Sequence, residues 1–214
     1  MVNNNVIISL IDYGIGNIKS VQQAFENQGA KVVRVNKAED ILTASHLVLP
    51  GVGAFGKGMA ALEERDLIDC IQKYCDGTKP FLGICLGMQM MLDESEEFGV
   101  YKGLGIIHGK VRKIPEDIID GKIRKVPHIG WNKIVFDENE EENIFKGVKV
   151  DSEMYFVHSF TAYPDDDNNR LADTFYEGER LCAAISKGKC VGTQFHPEKS
   201  GTVGLKIIKN FINM

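Results

Sequence analysis

The sequence predicts an α/β fold in three layers: a mainly parallel sheet covered by helices on both faces, with antiparallel strands added. Two observations carry this reading. Up to Leu92, short β-branched apolar runs alternate with stretches of helical periodicity, the pattern of parallel strands buried between two helical layers. Beyond Leu92 come short strand-like runs separated by glycines and polar loops, and their close spacing favours antiparallel pairing.

Val6 to Leu10 is a buried-strand pattern that delivers the loop Asp12-Tyr13-Gly14. Ile18, Val21 and Phe25 then recur at helical spacing from a cap at Asn17, and Gly29 stops the helix before a strand from Lys31 to Val35. Leu47 to Leu49 forms a third strand ending in Pro50-Gly51-Val52-Gly53. One helical stretch through Met59, Leu62, Leu67, Ile68 and Ile71 leads to a fourth strand, Phe81 to Ile84. The later strand-like runs are Ile106 to Val111, Lys133 to Phe136, Tyr155 to His158, Leu171 to Thr174, Cys182 to Ser186 and Val191 to Phe195. A last helix spans Val203 to Ile212, and the acidic runs Glu138 to Glu142 and Asp165 to Asp167 read as solvated loops. Without a linker or an internal repeat, residues 1–214 form one domain.

The 25 Lys and Arg against 30 Asp and Glu leave a net charge of −5, the wrong sign for holding a phosphate backbone or an anionic membrane. No run reaches the roughly 20 apolar residues of a membrane span, and Met1 to Asn5 has no basic, apolar leader character, so a cytoplasmic protein is expected. Five cysteines, Cys70, Cys75, Cys85, Cys182 and Cys190, are an odd number without CxxC pairs. That favours neither a disulfide framework nor a zinc site, and no metal is expected.

Cys85 is the most informative of them. It lies in Gly83-Ile84-Cys85-Leu86-Gly87, where a buried strand ends and a helix must begin. G-x-C-x-G is the thiol form of the nucleophile elbow: small flanking residues permit a sharp turn that lifts the nucleophile above the sheet, with the amide of Leu86 aimed into the same space. Taken alone the motif also fits a small buried apolar residue. A base is found in Gln194-Phe195-His196-Pro197-Glu198, at the end of another strand-like run. Pro197 biases His196 towards extended geometry and so turns His196 and Glu198 to one side, where the carboxylate can hold one imidazole nitrogen and leave the other for the thiol.

With G-I-C-L-G-M-Q around Cys85 and Q-F-H-P-E-K-S around His196, the chain resembles the class I (triad) glutamine amidotransferases. Four further segments narrow the resemblance: Asp12 to Asn17, Pro50 to Gly56, Pro127 to Asn132 and Tyr155 to Ser159. They are similar to those of the glutaminase subunits of imidazole glycerol phosphate synthases. The resemblance covers essentially the whole chain. It implies the flavodoxin-like three-layer sandwich of that family, glutamine hydrolysis without a cofactor, and a heterodimer with a (β/α)8-barrel cyclase subunit that uses the ammonia in histidine biosynthesis.

The resemblance also implies roles for individual residues. Cys85, His196 and Glu198 would be catalytic. Val52, or Gly53 if the peptide does not rotate, would join Leu86 as oxyanion donor. Gly51, Gln89, Ser159 and Phe160 would bind glutamine. Tyr13, Asn17, His128, Trp131, Asn132 and Tyr155 fall in segments that face the cyclase, although a core position is the other reading of the sole tryptophan. The chain departs from the family at Tyr176-Glu177-Gly178, which carries an extra residue, and at Phe160-Thr161. Other functions compatible with these motifs are the same glutaminase serving a synthase that amidinates a surface-polysaccharide sugar, a stand-alone γ-glutamyl hydrolase, and a silent binding module.

Overall fold

The computed structural model describes residues 6–119, 122–137 and 143–214; the acidic run Glu138 to Glu142 lies outside the described residues. The chain begins with β1 (Ile7–Ile11), α1 (Ile18–Asn27), β2 (Lys31–Val35), α2 (Ala38–Thr43) and β3 (His46–Gly51). Then come α3 (Phe55–Glu63), α4 (Ile68–Cys75), β4 (Phe81–Cys85) and α5 (Leu86–Met90). The side chain of Asn17 caps α1 by accepting from Ser20 N, and Gly29 follows its end with φ +87°, a left-handed turn that costs glycine nothing. The apolar stretch from Met59 to Ile71 is two helices and not one. Asp66 turns the chain at φ +54°, and Leu62 and Leu67, both buried, straddle the break. Both helices face the same core, so their apolar positions read as one stripe. The six-residue α2 escapes a periodicity argument because it buries Ile41 alone.

Beyond α5 the strands are β5 (Glu94–Ser95), β6 (Tyr101–Lys102), β7 (Gly109–Lys113), β8 (Ile118–Ile119), β9 (Lys122–Ile123), β10 (His128–Val135), β11 (Glu153–His158), β12 (Phe160–Pro164), β13 (Arg170–Tyr176), β14 (Glu179–Lys187) and β15 (Cys190–Thr193), followed by α6 (Gly201–Ile212). Five of these strands join β1 to β4 in one nine-stranded sheet, in the order β11-β10-β13-β14-β15-β4-β3-β1-β2. From β15 to β2 every pairing is parallel, and from β11 to β15 every pairing is antiparallel. The run Val191 to Phe195 therefore does not belong wholly to the antiparallel extension: after its hairpin with β14, β15 lies parallel to β4, in register Thr193 with Ile84.

Leu47, Leu49 and Phe81 face α3 and α4, while Val48, Leu82 and Ile84 face α1 and α6. Burial on both faces is why β3 and β4 read as unbroken apolar runs. A separate four-stranded sheet, β12-β7-β5-β6, packs against the α3–α4 side. Its strand β7 starts at Gly109. Ile106 and Ile107, read above as strand, lie in a turn whose amides donate to the carbonyl of Met91, so their apolarity serves burial and not pairing. Asp165 to Asp167 are exposed, but they are not all loop: Asp166 caps a 3₁₀ turn that runs from Asp167 to Asn169. No helix among the described residues is long and apolar enough to cross a membrane.

Candidate active site

Because β4 and β15 are parallel neighbours, the ends of both reach the same edge of the sheet and carry Cys85 and His196 together. Cys85 sits at φ +54° and ψ −106°, a conformation that costs a non-glycine residue about 1–3 kcal/mol. The glycines around it act through space and not through φ. A Cβ on Gly83 would come within 2.7 Å of the Gly87 backbone, and one on Gly87 within 1.9 Å of the Leu49 carbonyl oxygen. The turn closes only because those atoms are missing. The helix that follows, α5, has five residues, so the local amide of Leu86 matters more here than a macrodipole.

His196 Nδ1 donates to Glu198 Oε1 at 2.9 Å, with both side chains almost completely buried. His196 is extended, at φ −97° and ψ 96°, and Pro197 opens a single 3₁₀ turn that brings Glu198 back beneath the ring. Its backbone is tied on both sides: its N–H donates to Tyr155 O at 3.0 Å, and Ser200 Oγ donates to its carbonyl at 2.6 Å. Burial disfavours the imidazolium, yet interactions with Cys85 and Glu198 outweigh it and lift the His196 pKa to about 10. Nε2 is the nitrogen left for Cys85; it is buried and has no other hydrogen-bond partner among the described residues.

These groups open on a cavity of about 450 Å³ lined by Cys85, His196, Gln89, Val52, Gly53 and Glu97, among others. Gly51 pairs with Cys85 across the β3–β4 ladder, and a Cβ there would lie 2.8 Å from the Tyr13 hydroxyl and 2.9 Å from Leu86 Cβ. Val52 is exposed, and Gly53 has φ +94° with no atom within 4 Å of where a Cβ would stand. Ser159 and Phe160 line the far wall.

Gln89 is not idle. Its Nε2 donates to Phe160 O and to Gln194 Oε1, each at 2.9 Å, and Gln194 Nε2 donates to Cys85 Sγ at 3.7 Å. Phe160 O also accepts from His158 Nδ1 at 2.9 Å, which leaves His158 Nε2 to accept from His128 Nδ1 at 3.0 Å. Burial holds both histidines neutral, lowering His128 to about 4 and His158 to about 3. Sequence reasoning assigned no role to Gln194, His158 or Glu97. Gln194 carried a signal, a polar residue inside a buried strand-like run. Glu97, whose Oε2 accepts from Phe55 N at 2.6 Å, carried none, because β5 and β6 bring it to the site from a different sheet.

The residues expected to face a partner divide. Tyr13 is fully buried and donates its hydroxyl to Pro50 O at 2.9 Å, and His128 is buried in a stack with Phe156 and Tyr176, so neither presents a surface. Trp131 is 53% exposed, which excludes the core reading; Tyr155 packs edge-on against it. Asn17 is exposed and serves as a helix cap, while Asn132 Nδ2 donates to Thr174 Oγ1 and Phe175 O. Glu177, the extra residue, adopts φ +45° and accepts from Lys125 N at 3.0 Å. No cluster of three or more His, Cys, Asp or Glu among the described residues could hold a metal ion.

The family model of class-I glutamine amidotransferases matches residues 9–214. Among similar curated proteins, the imidazole glycerol phosphate synthase subunit HisH 1 of Legionella pneumophila (strain Lens) is 48% identical over 97% of this chain and 99% of its own. Subunit HisH of Geobacter sulfurreducens is 45% identical over 97% of this chain and 98% of its own. Among solved structures, one described as a glutamine amidotransferase superposes with a TM-score of 0.71 at 16% identity, covering 96% of this chain and 99% of its own. The PurLQS structure from Thermotoga maritima gives 0.70 at 21%, covering 97% and 98%; at such identities these two speak for the fold alone. The chain belongs to the class-I glutamine amidotransferases and, within them, to the HisH subunits of imidazole glycerol phosphate synthase.

Proposed function

We propose that this chain hydrolyses glutamine to glutamate and ammonia at Cys85 and delivers the ammonia to a (β/α)8-barrel cyclase subunit, which forms imidazole glycerol phosphate and aminoimidazole carboxamide ribotide in histidine biosynthesis. The observation that carries the reading is the meeting in one cavity of a strained Cys85 and His196, the latter held from behind by Glu198. The Cys85 sulfur attacks the side-chain amide carbon, and the oxyanion is held by the amide of Leu86 and that of Val52 or Gly53. His196, protonated at neutral pH, gives its Nε2 proton to the departing ammonia. The neutral imidazole then takes a proton from water, which cleaves the γ-glutamyl thioester and returns the site to its starting state.

Glu97 supplies a carboxylate to the cavity wall, matched in charge to the α-ammonium of the substrate; Gly51, Gln89, Ser159 and Phe160 provide the remaining grip. Trp131, Asn132, Tyr155 and Asn17 belong to the face offered to the cyclase, with Tyr13 and His128 supporting it from beneath. The five unpaired thiols suit a reducing, cytoplasmic setting. The polysaccharide synthase and stand-alone hydrolase readings gain no support from the HisH relatives. The deciding experiment measures glutamate release by the chain mixed with a cyclase partner and the nucleotide that the cyclase binds. Cys85→Ala should abolish release while keeping the circular-dichroism spectrum, and full activity in Cys85→Ala would overturn the reading.

A further inference from the structure

A second cavity, about 470 Å³, lies at the opposite end of the central strands, bounded by the end of α4 and the β14–β15 hairpin. Cys75 closes α4 and Cys190 opens β15; both line the cavity, beside Lys187. Although 115 residues apart in the chain, the two residues meet: Cys190 Sγ donates to the Cys75 carbonyl oxygen at 3.6 Å, and the two thiols are close enough to shift one another's titration. Cys190 pairs with Phe81 at the start of β4, whereas Cys85 is at its end, so the two sites are separated by about 13 Å of strand. Nothing in the glutaminase chemistry uses this pair.

The two sulfurs are not equivalent. Cys75, partly buried beside the Cys190 sulfur, is pushed above the usual thiol range, and Cys190, beside the Cys75 thiol and with Lys187 nearby, is pulled below it. The other thiols lack such a neighbour. Cys70 Sγ donates to Leu67 O within its own turn, and burial raises Cys182 to about 12. Two thiols set against one another at the wall of a cavity have the arrangement of an oxidisable cysteine with its resolving partner.

We propose that Cys75 and Cys190 form a reversible redox pair, oxidised to an intramolecular disulfide by a hydroperoxide. The Cys190 sulfur attacks the peroxide oxygen; an S–O bond forms, the O–O bond breaks, and the leaving oxygen departs as water, or as an alcohol from an organic peroxide, once protonated. The Cys75 sulfur, having lost its proton, then attacks the Cys190 sulfenic acid, forming the S–S bond and expelling the hydroxyl as water. Two thiols lose two electrons and one hydroperoxide gains them. A dithiol reductant reverses the change by exchange.

The test treats the full chain with hydrogen peroxide at a dose that leaves Cys70 and Cys182 reduced, blocks remaining thiols with N-ethylmaleimide, and maps peptides without reduction. The expected product is a peptide pair joined through Cys75 and Cys190, lighter by two hydrogens, released by dithiothreitol, and formed equally in Cys85→Ala. In Cys75→Ser the same dose should leave Cys190 as a sulfenic acid that a cyclic diketone traps. Maleimide on both Cys75 and Cys190 after peroxide, or sulfinic acid at Cys190 without the cross-link in the wild-type chain, would overturn the proposal.

Discussion

At Cys85 two side chains converge with different tasks. His196 brings a charge and a proton, and Gln194 brings a neutral N–H whose other end is anchored through Gln89 to the Phe160 carbonyl. A hydrogen bond to a charged group contributes about 1.5–3 kcal/mol, roughly ten- to a hundredfold in an equilibrium constant. Gln194→Met, similar in volume but without the amide, should therefore keep the fold and slow iodoacetamide alkylation of Cys85 at neutral pH by at least about tenfold; unchanged alkylation would show that Gln194 only fills space. Glu198 acts one step further back. In Glu198→Gln the carboxylate that supports the imidazolium is gone, so the His196 pKa should drop from about 10 and the alkaline limb of the pH–rate profile should move down by roughly one to three units. Some activity should survive, whereas His196→Asn should lose nearly all. An unmoved alkaline limb would reduce Glu198 to a structural role.

At the scale of elements, the elbow depends on how closely α5 approaches β3. Gly87→Ala places a methyl against the Leu49 backbone carbonyl, which no rotamer can relieve, so the β3–β4–α5 junction must shift. A loss of about 3 kcal/mol is expected, read as a lower urea midpoint, together with loss of glutaminase activity. The β10–β11 pair makes a different prediction through its neutral histidines. Their folded pKa values lie below the unfolded value near 6.5, so the unfolded chain binds more protons in acid; the stability they allow is present above about pH 6.5 and is lost as pH falls towards about 4 and 3. Replacing His128 with Phe, which keeps the stack with Phe156 and Tyr176, should flatten the decline in stability between pH 6.5 and 4 measured by urea titration. A decline as steep as in the wild-type chain would place the acid sensitivity elsewhere.

For the whole molecule, one edge of the sheet gathers the elbow, the Val52–Gly53 segment and the His196 turn, and β10 extends from it with Ile129 and Trp131 exposed. Tyr13 links the layers, its buried hydroxyl holding the Pro50 carbonyl one residue before Gly51. The proposed cyclase contact on this face would act by shifting the Gly51–Gly53 peptides. One oxyanion donor is worth about 10²- to 10³-fold in rate, so a population shift of roughly 3–4 kcal/mol suffices to switch the site. The isolated chain should accordingly release glutamate slowly, and a cyclase partner with its nucleotide should stimulate it about a hundredfold or more. Trp131→Ala should blunt the stimulation while leaving the melting temperature unchanged. High activity of the chain alone, indifferent to the cyclase, would remove the gating role.

The parallel strands β1 to β4 with the helix between β1 and β2, the elbow at Cys85 and the His196–Glu198 pair were legible because each is written in local terms, apolar periodicity, glycine spacing and a proline that sets its neighbours' backbone, whereas α2, β5, β6, β8 and β9 were too short to show a period and β12 went unread. Local terms also hide things. Two helices facing one core read as a single stripe across Asp66, and Ile106 and Ile107 read as strand because burial and pairing demand the same side chains. Whether an aromatic residue lies under the surface or on it was undecidable locally: Tyr13 and Trp131 both border glycines, and only packing buries one and exposes the other. The same holds for the polar chain from His128 through His158, Phe160, Gln89 and Gln194 to Cys85, and for Glu97, which reaches the cavity from the second sheet. Local chemistry determined which residues could react; which groups surround them was decided by strands that pair far apart in the chain, because hydrogen bonds and desolvation depend on distances that sequence order does not contain.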